Sequence, residues 1–395
     1  MDRRRFLSLA GLAGTGTLAV CAGRGGAGDG DPSGDDGDST AYAVETVATG
    51  FSNPWAIEFL PDGDLLVTER AGALDLVDPE SGEVRAVDGT PEVDARGQGG
   101  LLDVALHPDF PDSPWAYLTY SASNADGDTA THLGRGRLDR ENGRLERFEV
   151  LHAAEPFVDS TGHYGSRVVF GDDDRLYVTV GDRQFKDFGP DHVAQDLGVE
   201  LGKTLRLEPD GSVPDDNPFL GDPDARDAIY SYGHRNAQGL TVHPETGAIW
   251  ESEYGEQDGD EINVISRGAN YGWPVADEGC TYGGGDPIGV SHDDREDVVA
   301  PAYSWPCGSG GFPPGGMTFC SGRAFPDWEG DLFVGGLASR SLGRLTVEGD
   351  EVTAEERLLA DRDWRIRTVV EEPDTGHLYL AIDSGDAPVV RLTPA

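Results

Sequence analysis

Short apolar runs alternate with glycine and aspartate turns along most of the chain. After Tyr42, Gly-Asp or Asp-Gly turns lead into runs rich in leucine, valine and tyrosine, as in Asp62–Thr68, Asp174–Asp182 and Gly376–Asp383. Asp-Gly pairs favour tight hairpin turns, and alternating β-branched and aromatic residues favour strands. This body shows no long apolar period of about 3.6 residues, so it is predicted to be all-β.

The spacing of these strand–turn units predicts the architecture. They recur over roughly 350 residues at about 40 to 60 residues each, which indicates a six-bladed β-propeller. A double-layer β-sandwich array is the alternative. Uneven spacing indicates long insertions near residues 183–200 and 275–315. Because the loops on one face of a propeller converge on its axis, residues far apart in sequence can form one pocket.

The first 40 residues follow a different pattern. Three arginines, Arg3 to Arg5, precede a small-residue apolar stretch that ends at Cys21. This resembles a twin-arginine signal for the export of folded proteins, and Leu18–Cys21 resembles a lipobox whose cysteine becomes lipidated. The predicted organisation is a signal peptide over 1–21, a disordered Gly/Ser/Asp tether over 22–40 and a propeller over 41–395. We expect an extracytoplasmic protein that meets a membrane only through its lipid.

Charge narrows the choice of partners. The chain has 73 acidic and 30 basic residues, a net charge of −43, and only two lysines, Lys186 and Lys203. An acidic, lysine-poor surface is typical of proteins adapted to concentrated salt, where screening removes most self-repulsion. An acidic protein from an ordinary environment is the alternative. Nucleic acid is excluded as a partner because phosphate recognition requires a basic surface.

The cysteines that follow Cys21 indicate a structural role. They are Cys280, Cys307 and Cys320, and their spacing fits no zinc motif. Export permits one disulfide, for which we favour Cys280–Cys307, and the odd count leaves one thiol over.

Two groups of residues suggest chemistry. His163 lies before a predicted strand that ends near Asp182, so the carboxylate could pair with the imidazole, fix its tautomer and raise its basicity. Arg365 and Arg367 alternate along the chain, so both guanidinium groups could face one anion. The alternative for each arginine is a surface carboxylate as its partner.

The ordered motifs together resemble the soluble quinoprotein glucose dehydrogenases, in particular their aldose sugar dehydrogenase branch. The resemblance extends from about Thr46 to Leu392 and is carried by Gly50–Ile57, Leu66–Arg70, Gly97–Phe110, Gly202–Leu207, Asn217–Phe219 and Asn270–Pro274. It implies a six-bladed propeller that holds pyrroloquinoline quinone (PQQ) and a calcium ion on its axis. The implied reaction is oxidation of aldose sugars at the anomeric carbon to lactones, with electrons passed to an external acceptor.

The resemblance also implies a role for each matching residue. His163 would be the general base that takes the proton of the anomeric hydroxyl, oriented by Asp182, while hydride passes to the quinone. The expected cofactor contacts are Arg235, Asn236, Arg365, Arg367 and Asp383, and Gln98 would lie near the sugar. Arg235 would also stabilise negative charge that develops on the quinone. Backbone carbonyls of Gly255 and Glu256 would hold calcium, which acts as a Lewis acid.

Three positions depart from the family pattern. Ser166 stands where the family usually has a glycine, and Glu256 stands where it usually has a proline, with a charge that we expect to strengthen metal binding. A lysine that contacts the cofactor in relatives falls at Ala338. Arg340 is expected to replace it, because two positions along a strand lie on the same side.

Two other functions remain open on the sequence. One is a non-catalytic propeller that binds glycans or a protein and has lost its cofactor, which Ala338 would favour. The other is a calcium-dependent hydrolase of the lactonase type, which would need several side-chain carboxylates around the metal.

Overall fold

Twenty-four strands, numbered in chain order, form six four-stranded antiparallel sheets in residues 40–395. These residues are the part of the chain that the structure, a computed structural model, describes. The predicted signal peptide and residues 22–39 of the predicted tether lie outside the described residues. The prediction of an all-β six-bladed propeller is confirmed.

Four sequential strands make each of the first three blades. The first blade consists of β2 (Pro54–Phe59), β3 (Leu65–Glu69), β4 (Leu74–Val77) and β5 (Val84–Ala86). The second consists of β6 (Leu101–Leu106), β7 (Trp115–Ser123), β8 (Thr129–Asp139) and β9 (Arg144–Ala153). The third consists of β10 (Val168–Phe170), β11 (Leu176–Val180), β12 (Lys203–Leu207) and β13 (Ile229–Tyr232).

Three more blades follow, and the sixth joins the two ends of the described chain. The fourth blade consists of β14 (Ala237–Val242), β15 (Ile249–Glu253), β16 (Asp260–Ile265) and β17 (Tyr303–Trp305). The fifth consists of β18 (Pro314–Phe319), β19 (Leu332–Gly336), β20 (Leu342–Glu348) and β21 (Glu351–Leu358). The sixth consists of β22 (Ile366–Glu371), β23 (Leu378–Ile382), β24 (Ala387–Pro394) and, on the outer side of β24, β1 (Tyr42–Phe51). This pairing of β1 with β24 closes the ring.

The hairpins follow the turn chemistry of the sequence. Between β2 and β3, Leu60 N–H donates to Asp64 O at 2.8 Å, and Gly63 has a positive φ of 90° that suits glycine. The third blade turns at Asp174, which has a φ of 60°. Aspartate tolerates this left-handed conformation better than most residues. The Asp-Gly and Asp-rich turns are therefore real hairpin turns.

The first strand of each blade lies nearest the axis. The strands β2, β6, β10, β14, β18 and β22 contact one another in a ring. Five of these six have a register irregularity within their first few residues, with β10 as the exception. Such irregularities re-aim backbone and side chains. They occur at the end of the axis where the predicted site residues lie.

Aromatic contacts join neighbouring blades. Trp250 of β15 meets Phe319 of β18 edge to face, with ring centroids 5.4 Å apart. Phe59 of β2 meets Tyr379 of β23 in the same way at 5.1 Å. Such pairs contribute about 0.5–1.5 kcal/mol each beyond the burial of their area. These contacts help to hold the blades in a rigid frame around the site.

The two predicted insertions have different content. Residues 181–202 connect β11 to β12 without a strand, as predicted, whereas the segment 275–315 contains β17 and the first of three short 3-10 helices, His292–Asp294, Pro326–Trp328 and Ala360–Arg362. Cys280 and Cys307 are disulfide-bonded with Cα atoms 5.5 Å apart, as predicted, and Cys320 is a buried free thiol. Within the described residues, no helix has the length and apolar character needed to cross a membrane.

Candidate active site

The candidate site residues lie at one end of the propeller axis. Gln98, His163, Arg235 and Arg365 lie just before the inner strands β6, β10, β14 and β22. Asp182, Gly255 and Asp383 lie just after the second strands β11, β15 and β23. Because the first and second strands of a blade are antiparallel, the start of one and the end of the other share an edge. This rule brings together residues that are far apart in sequence.

His163 and Asp182 form a buried pair. The distance from His163 Nδ1 to Asp182 Oδ1 is 2.7 Å, and both residues are almost fully buried. Asp182 accepts a hydrogen bond from the Nδ1–H group, which leaves the lone pair of the neutral imidazole on Nε2. His163 also lines a cavity. Its backbone N–H donates to Gln98 Oε1 at 2.8 Å.

The charges around this pair keep it ready to accept a proton. Burial lowers the pKa of His163 below its ordinary value, against the opposing effect of Asp182. Burial opposes ionisation of Asp182, but His163 and Arg235 outweigh it and hold the pKa of this carboxyl below its ordinary value. At neutral pH the pair is therefore a carboxylate and an uncharged imidazole, which is the form a general base requires.

Asp182 has a second partner in Trp273. The indole Nε1 donates to Asp182 Oδ2 at 2.9 Å, and the same ring lies 5.1 Å from the guanidinium carbon of Arg235. His192 Nε2 is 3.8 Å from Asp182 Oδ2 but nearer to Phe185 O, at 3.2 Å. Trp273 therefore fixes the outer oxygen of the carboxylate, while its ring supports the arginine.

Arg235 and Asn236 hold unused hydrogen-bonding capacity. Arg235 Nη2 is 2.5 Å from Glu256 Oε2, and its Nη1 donates to Tyr254 O at 3.1 Å. Asn236 Oδ1 accepts the Gly165 N–H at 3.1 Å. Arg235 Nε and Asn236 Nδ2 are buried without a hydrogen-bond partner in residues 40–395. Buried donors of this kind are free to pair with a bound ligand or with water.

A cavity of about 210 Å³ on the axis is rich in arginine. Its lining residues are Trp55, Arg70, Gln98, Gln238, Tyr254, Pro313, Leu337, Ala338, Arg365, Arg367 and Asp383. Three arginines thus face one carboxylate, in a chain whose net charge is −43. The predicted convergence of Arg365 and Arg367 is confirmed, since their Nη2 atoms lie 3.1 and 3.0 Å from the same oxygen, Asp383 Oδ2.

A second cavity of about 400 Å³ adjoins the first. The two share Gln98, Tyr254, Pro313 and Ala338, and the second also contains His163, Arg235, Gly255 and Glu256. All the predicted site residues except Asn236, Asp182 and Arg340 therefore line one of two connected cavities. Asn236 and Asp182 are fully buried, behind residues that line these cavities.

The expectation for Arg340 is wrong. Strand β19 ends at Gly336 and β20 begins at Leu342, so Ala338 and Arg340 lie in a turn, where the two-residue period of a strand does not apply. Arg340 has a φ of 51°, is exposed, and its Nη1 is 2.5 Å from Asp363 Oδ2. Its charge is thus held outside both cavities.

The loop predicted to bind calcium is sharply turned. A Cβ at Gly255 would lie 1.9 Å from Asp258 O, so only glycine fits there. The carbonyl oxygens of Gly255 and Glu256 accept no hydrogen bond from the residues that the structure describes. The Glu256 carboxylate pairs with Lys186 and Arg235, so the expectation that its charge serves a metal is not supported.

A different buried group has the composition of a metal site and lies behind Arg235. His234, Glu251 and Glu253 place one ligand atom each within 4.8 Å of one another. Burial opposes protonation of His234, but the two glutamates outweigh it and raise the pKa to about 10. Glu253 Oε2 accepts the Arg235 N–H at 2.6 Å, so this group positions the arginine.

Ser166 adopts a backbone conformation that favours glycine. Its φ is 78°, in the left-handed region. The residue is fully buried, and its N–H donates to Thr179 O at 2.8 Å. These contacts keep the loop that carries His163 in place without glycine.

Sequence reasoning assigned no role to Arg70 or Trp273. Both lie in motifs that carried the family resemblance, Leu66–Arg70 and Asn270–Pro274. Membership in a motif was the only available signal, because their partners are 27 or more residues away.

The fold and the site together define a class of protein. A buried imidazole–carboxylate pair lies beside an arginine-rich cavity at one end of the axis of six blades, an arrangement that suits a propeller enzyme. Residues 51–391 match the family model described as glucose/sorbosone dehydrogenase. The chain belongs to this family of oxidoreductases.

Three matches support this assignment. The chain is 37% identical over 355 residues to aldose sugar dehydrogenase YliI of Escherichia coli (strain K12), with 89% of this chain and 92% of that protein covered. Its fold is similar to that of the soluble aldose sugar dehydrogenase from Escherichia coli in its apo form, with a TM-score of 0.83, 36% identity, and coverage of 90% and 100%. It is also similar to the PQQ-bound form of aldose sugar dehydrogenase from Streptomyces coelicolor, with a TM-score of 0.73, 29% identity, and coverage of 90% and 98%.

Proposed function

We propose that this chain oxidises aldose sugars at the anomeric carbon to lactones, with PQQ and calcium as cofactors and an external electron acceptor. The observation that carries the proposal is the His163–Asp182 pair, 2.7 Å apart, next to an arginine-rich axial cavity. A non-catalytic propeller has no need of a buried base of this kind.

The residues present fit an anionic, flat, oxygen-rich cofactor. Three buried nitrogen atoms have no partner among residues 40–395 and lie in the predicted cofactor contacts, namely Arg235 Nε, Asn236 Nδ2 and Arg367 Nε. PQQ carries three carboxylates and two quinone oxygens, which would pair with such donors. When bound, PQQ supplies the two-electron oxidant that accepts hydride from the anomeric carbon.

The proposed calcium would be held by the loop after β15. The carbonyl oxygens of Gly255 and Glu256 are uncommitted within the described chain, and calcium prefers oxygen ligands. There it would act as a Lewis acid. Asp260 is engaged elsewhere, since its two oxygens accept the N–H groups of Gly255 and Phe312. Glu256 is engaged too, through Lys186 and Arg235, which disfavours the set of side-chain carboxylates that a lactonase would need.

The chain's own contribution to the reaction is proton transfer. His163 Nε2 takes the proton of the anomeric hydroxyl, because Nδ1 is held by Asp182. Asp182 stays ionised and stabilises the imidazolium that forms. Gln98 fixes the loop of His163 through its Oε1, which leaves its Nε2 to orient the sugar. Arg235 stabilises negative charge that develops near the axis.

The first test is a cofactor titration. The purified full chain, in concentrated salt with calcium, is titrated with PQQ while tryptophan fluorescence is followed, because Trp55 lines the axial cavity. Glucose is then added and the absorption of the cofactor is recorded. We expect saturable binding at micromolar PQQ and bleaching that requires sugar. Chelation of calcium is expected to abolish the bleaching.

Two results would contradict the proposal. No saturable binding at micromolar PQQ would favour the non-catalytic propeller that binds glycans or a protein. Binding without reduction by any aldose would exclude the proposed reaction while leaving the cofactor site in place.

Replacing Trp273 with phenylalanine tests how the base is tuned. The substitution removes the N–H that compensates the charge of Asp182 but keeps a ring beside Arg235. The less compensated carboxylate favours the protonated imidazole more strongly, so the acid limb of kcat/KM moves to higher pH. Hydrogen bonds to charged groups are worth about 1.5–3 kcal/mol, so we expect a loss of about tenfold in kcat.

The pH dependence separates tuning from general damage. The matched control is Trp115→Phe, at a partly exposed tryptophan of β7 outside both cavities. An unchanged pH profile in Trp273→Phe, with or without a lower kcat, would show that the indole N–H does not act through Asp182.

A further inference from the structure

Ala338 brings no charge to the axial cavity, at the position where the family resemblance implies a lysine that contacts the cofactor. This residue is exposed and lines both connected cavities, so a charged side chain at this position would reach the ligand. Arg340 does not supply the charge, because it pairs with Asp363 outside the cavities. The cation must therefore come from another blade or be missing.

Arg70 enters the same cavity from the first blade. It directly follows β3, at the edge where the other second strands deliver their site residues. Its Nη2 donates to the carbonyls of Gly97 and Gly99, and its Nε donates to Gly99 O at 3.2 Å. Its Nη1 has no hydrogen-bond partner in residues 40–395. A guanidinium fixed on one side thus presents a free edge to the cavity.

The one carboxylate among residues 40–395 that lines this cavity, Asp383, is paired with other arginines. Asp383 is shared by Arg365 and Arg367, and Arg70 forms no ion pair within the described chain. Burial and the nearby charge of Arg367 lower the pKa of Arg70, and the charge of Asp383 offsets only part of this effect. Arg367 Nε is buried without a partner as well. An anion in this cavity would satisfy both arginines.

The contacts of Arg70 also hold the loop that contains Gln98. Its two carbonyl acceptors belong to the residues on either side of Gln98, whose Oε1 holds the His163 N–H. A ligand that binds Arg70 would therefore lie next to the 97–99 loop, which is hydrogen-bonded to His163.

We propose that Arg70 binds a carboxylate of the cofactor and supplies the cationic contact that is missing at Ala338. This inference rests on the proposed function. The free edge of the guanidinium and the absence of a carboxylate partner for it carry the argument. An arginine donates in a fixed fork that matches a carboxylate.

The test is PQQ binding to the full chain, measured by tryptophan fluorescence and by calorimetry without sugar. We expect Arg70→Gln to weaken binding by about 10- to 100-fold, which is the range for loss of a charge-assisted contact. Arg340→Gln is the matched control and should bind within about twofold of wild type, because Arg340 lies outside the cavities. Ala338→Lys in the Arg70→Gln background should recover about tenfold or more.

Each outcome decides the matter. If the wild type binds PQQ and Arg70→Gln binds equally well, Arg70 has no such role and the proposed function stands. If Arg70→Gln weakens binding and Ala338→Lys recovers none of it, the effect comes from the 97–99 loop and the inference is overturned. If the wild type binds no PQQ, the proposed function and this inference fail together. Recovery by the lysine would establish that the contact is one of charge.

Discussion

Replacing His163 with alanine is expected to lower kcat for aldose oxidation by about 100- to 10,000-fold, the usual contribution of a general base. The imidazole is the only group of the pair that lines the cavity, because Asp182 is fully buried behind it. PQQ affinity should stay within about twofold, since the arginines are untouched. Steady-state kinetics and fluorescence titration of the same preparation measure both quantities.

The pH profile of the wild type provides the second half of this test. Burial lowers the pKa of His163, so the base stays unprotonated at neutral pH and is lost only as the pH falls through that lowered value. We expect kcat/KM to fall on the acid side, below the ordinary range of histidine, and this limb to vanish in His163→Ala. Added imidazole should restore part of the activity. A variant that retains more than about a tenth of wild-type kcat would rule out His163 as the base.

Replacing Asp182 with asparagine is expected to lower kcat by a similar factor, about 100- to 10,000-fold, because the charge that stabilises the imidazolium is removed. The geometry adds a second cost. Oδ1 accepts the Gln184 N–H and faces His163 Nδ1, while Oδ2 accepts the Trp273 N–H. An amide has one oxygen, so either orientation leaves an N–H facing an N–H. A buried donor without a partner costs about 1–3 kcal/mol.

Two measurements separate the electrostatic and structural parts of this loss. The melting temperature should fall because of the unpaired donor, and nitrogen NMR of the imidazole should show a change of tautomer. Asp187→Asn is the matched control, at an exposed aspartate in the same loop between β11 and β12. Wild-type kcat in Asp182→Asn would mean that Asp182 does not support the base.

The local patterns of the sequence predicted the fold well because they act over short distances. Asp-Gly turns and alternating apolar residues specify hairpins, and four strands per sheet follow from repeated hairpins. The pairing of β1 with β24 has no such signal, because register partners such as Val44 and Leu392 are separated by almost the whole described chain. That contact depends on the closure of the ring.

The same distinction explains the outcome at the candidate site. The alternation of Arg365 and Arg367 is a local geometric rule, and both do reach Asp383. The rule failed at Arg340 because the chain turns there, and the sequence around Ala338 did not indicate where the strand ends. The sequence offered no basis for assigning a role to Arg70 or Trp273, because their roles depend on hydrogen-bond partners in other blades.

The sixth blade contains strands from both ends of the described chain, so the fold is complete only after the whole chain has been synthesised. Proteins fold progressively as they are made, so β1 waits for its partner until the residues of β24 have emerged. A chain cut short within β22 to β24 would leave the ten-residue strand β1 with an unpaired edge. Unpaired strand edges recruit other chains. Premature termination would therefore yield an aggregating product in place of a slightly shorter enzyme.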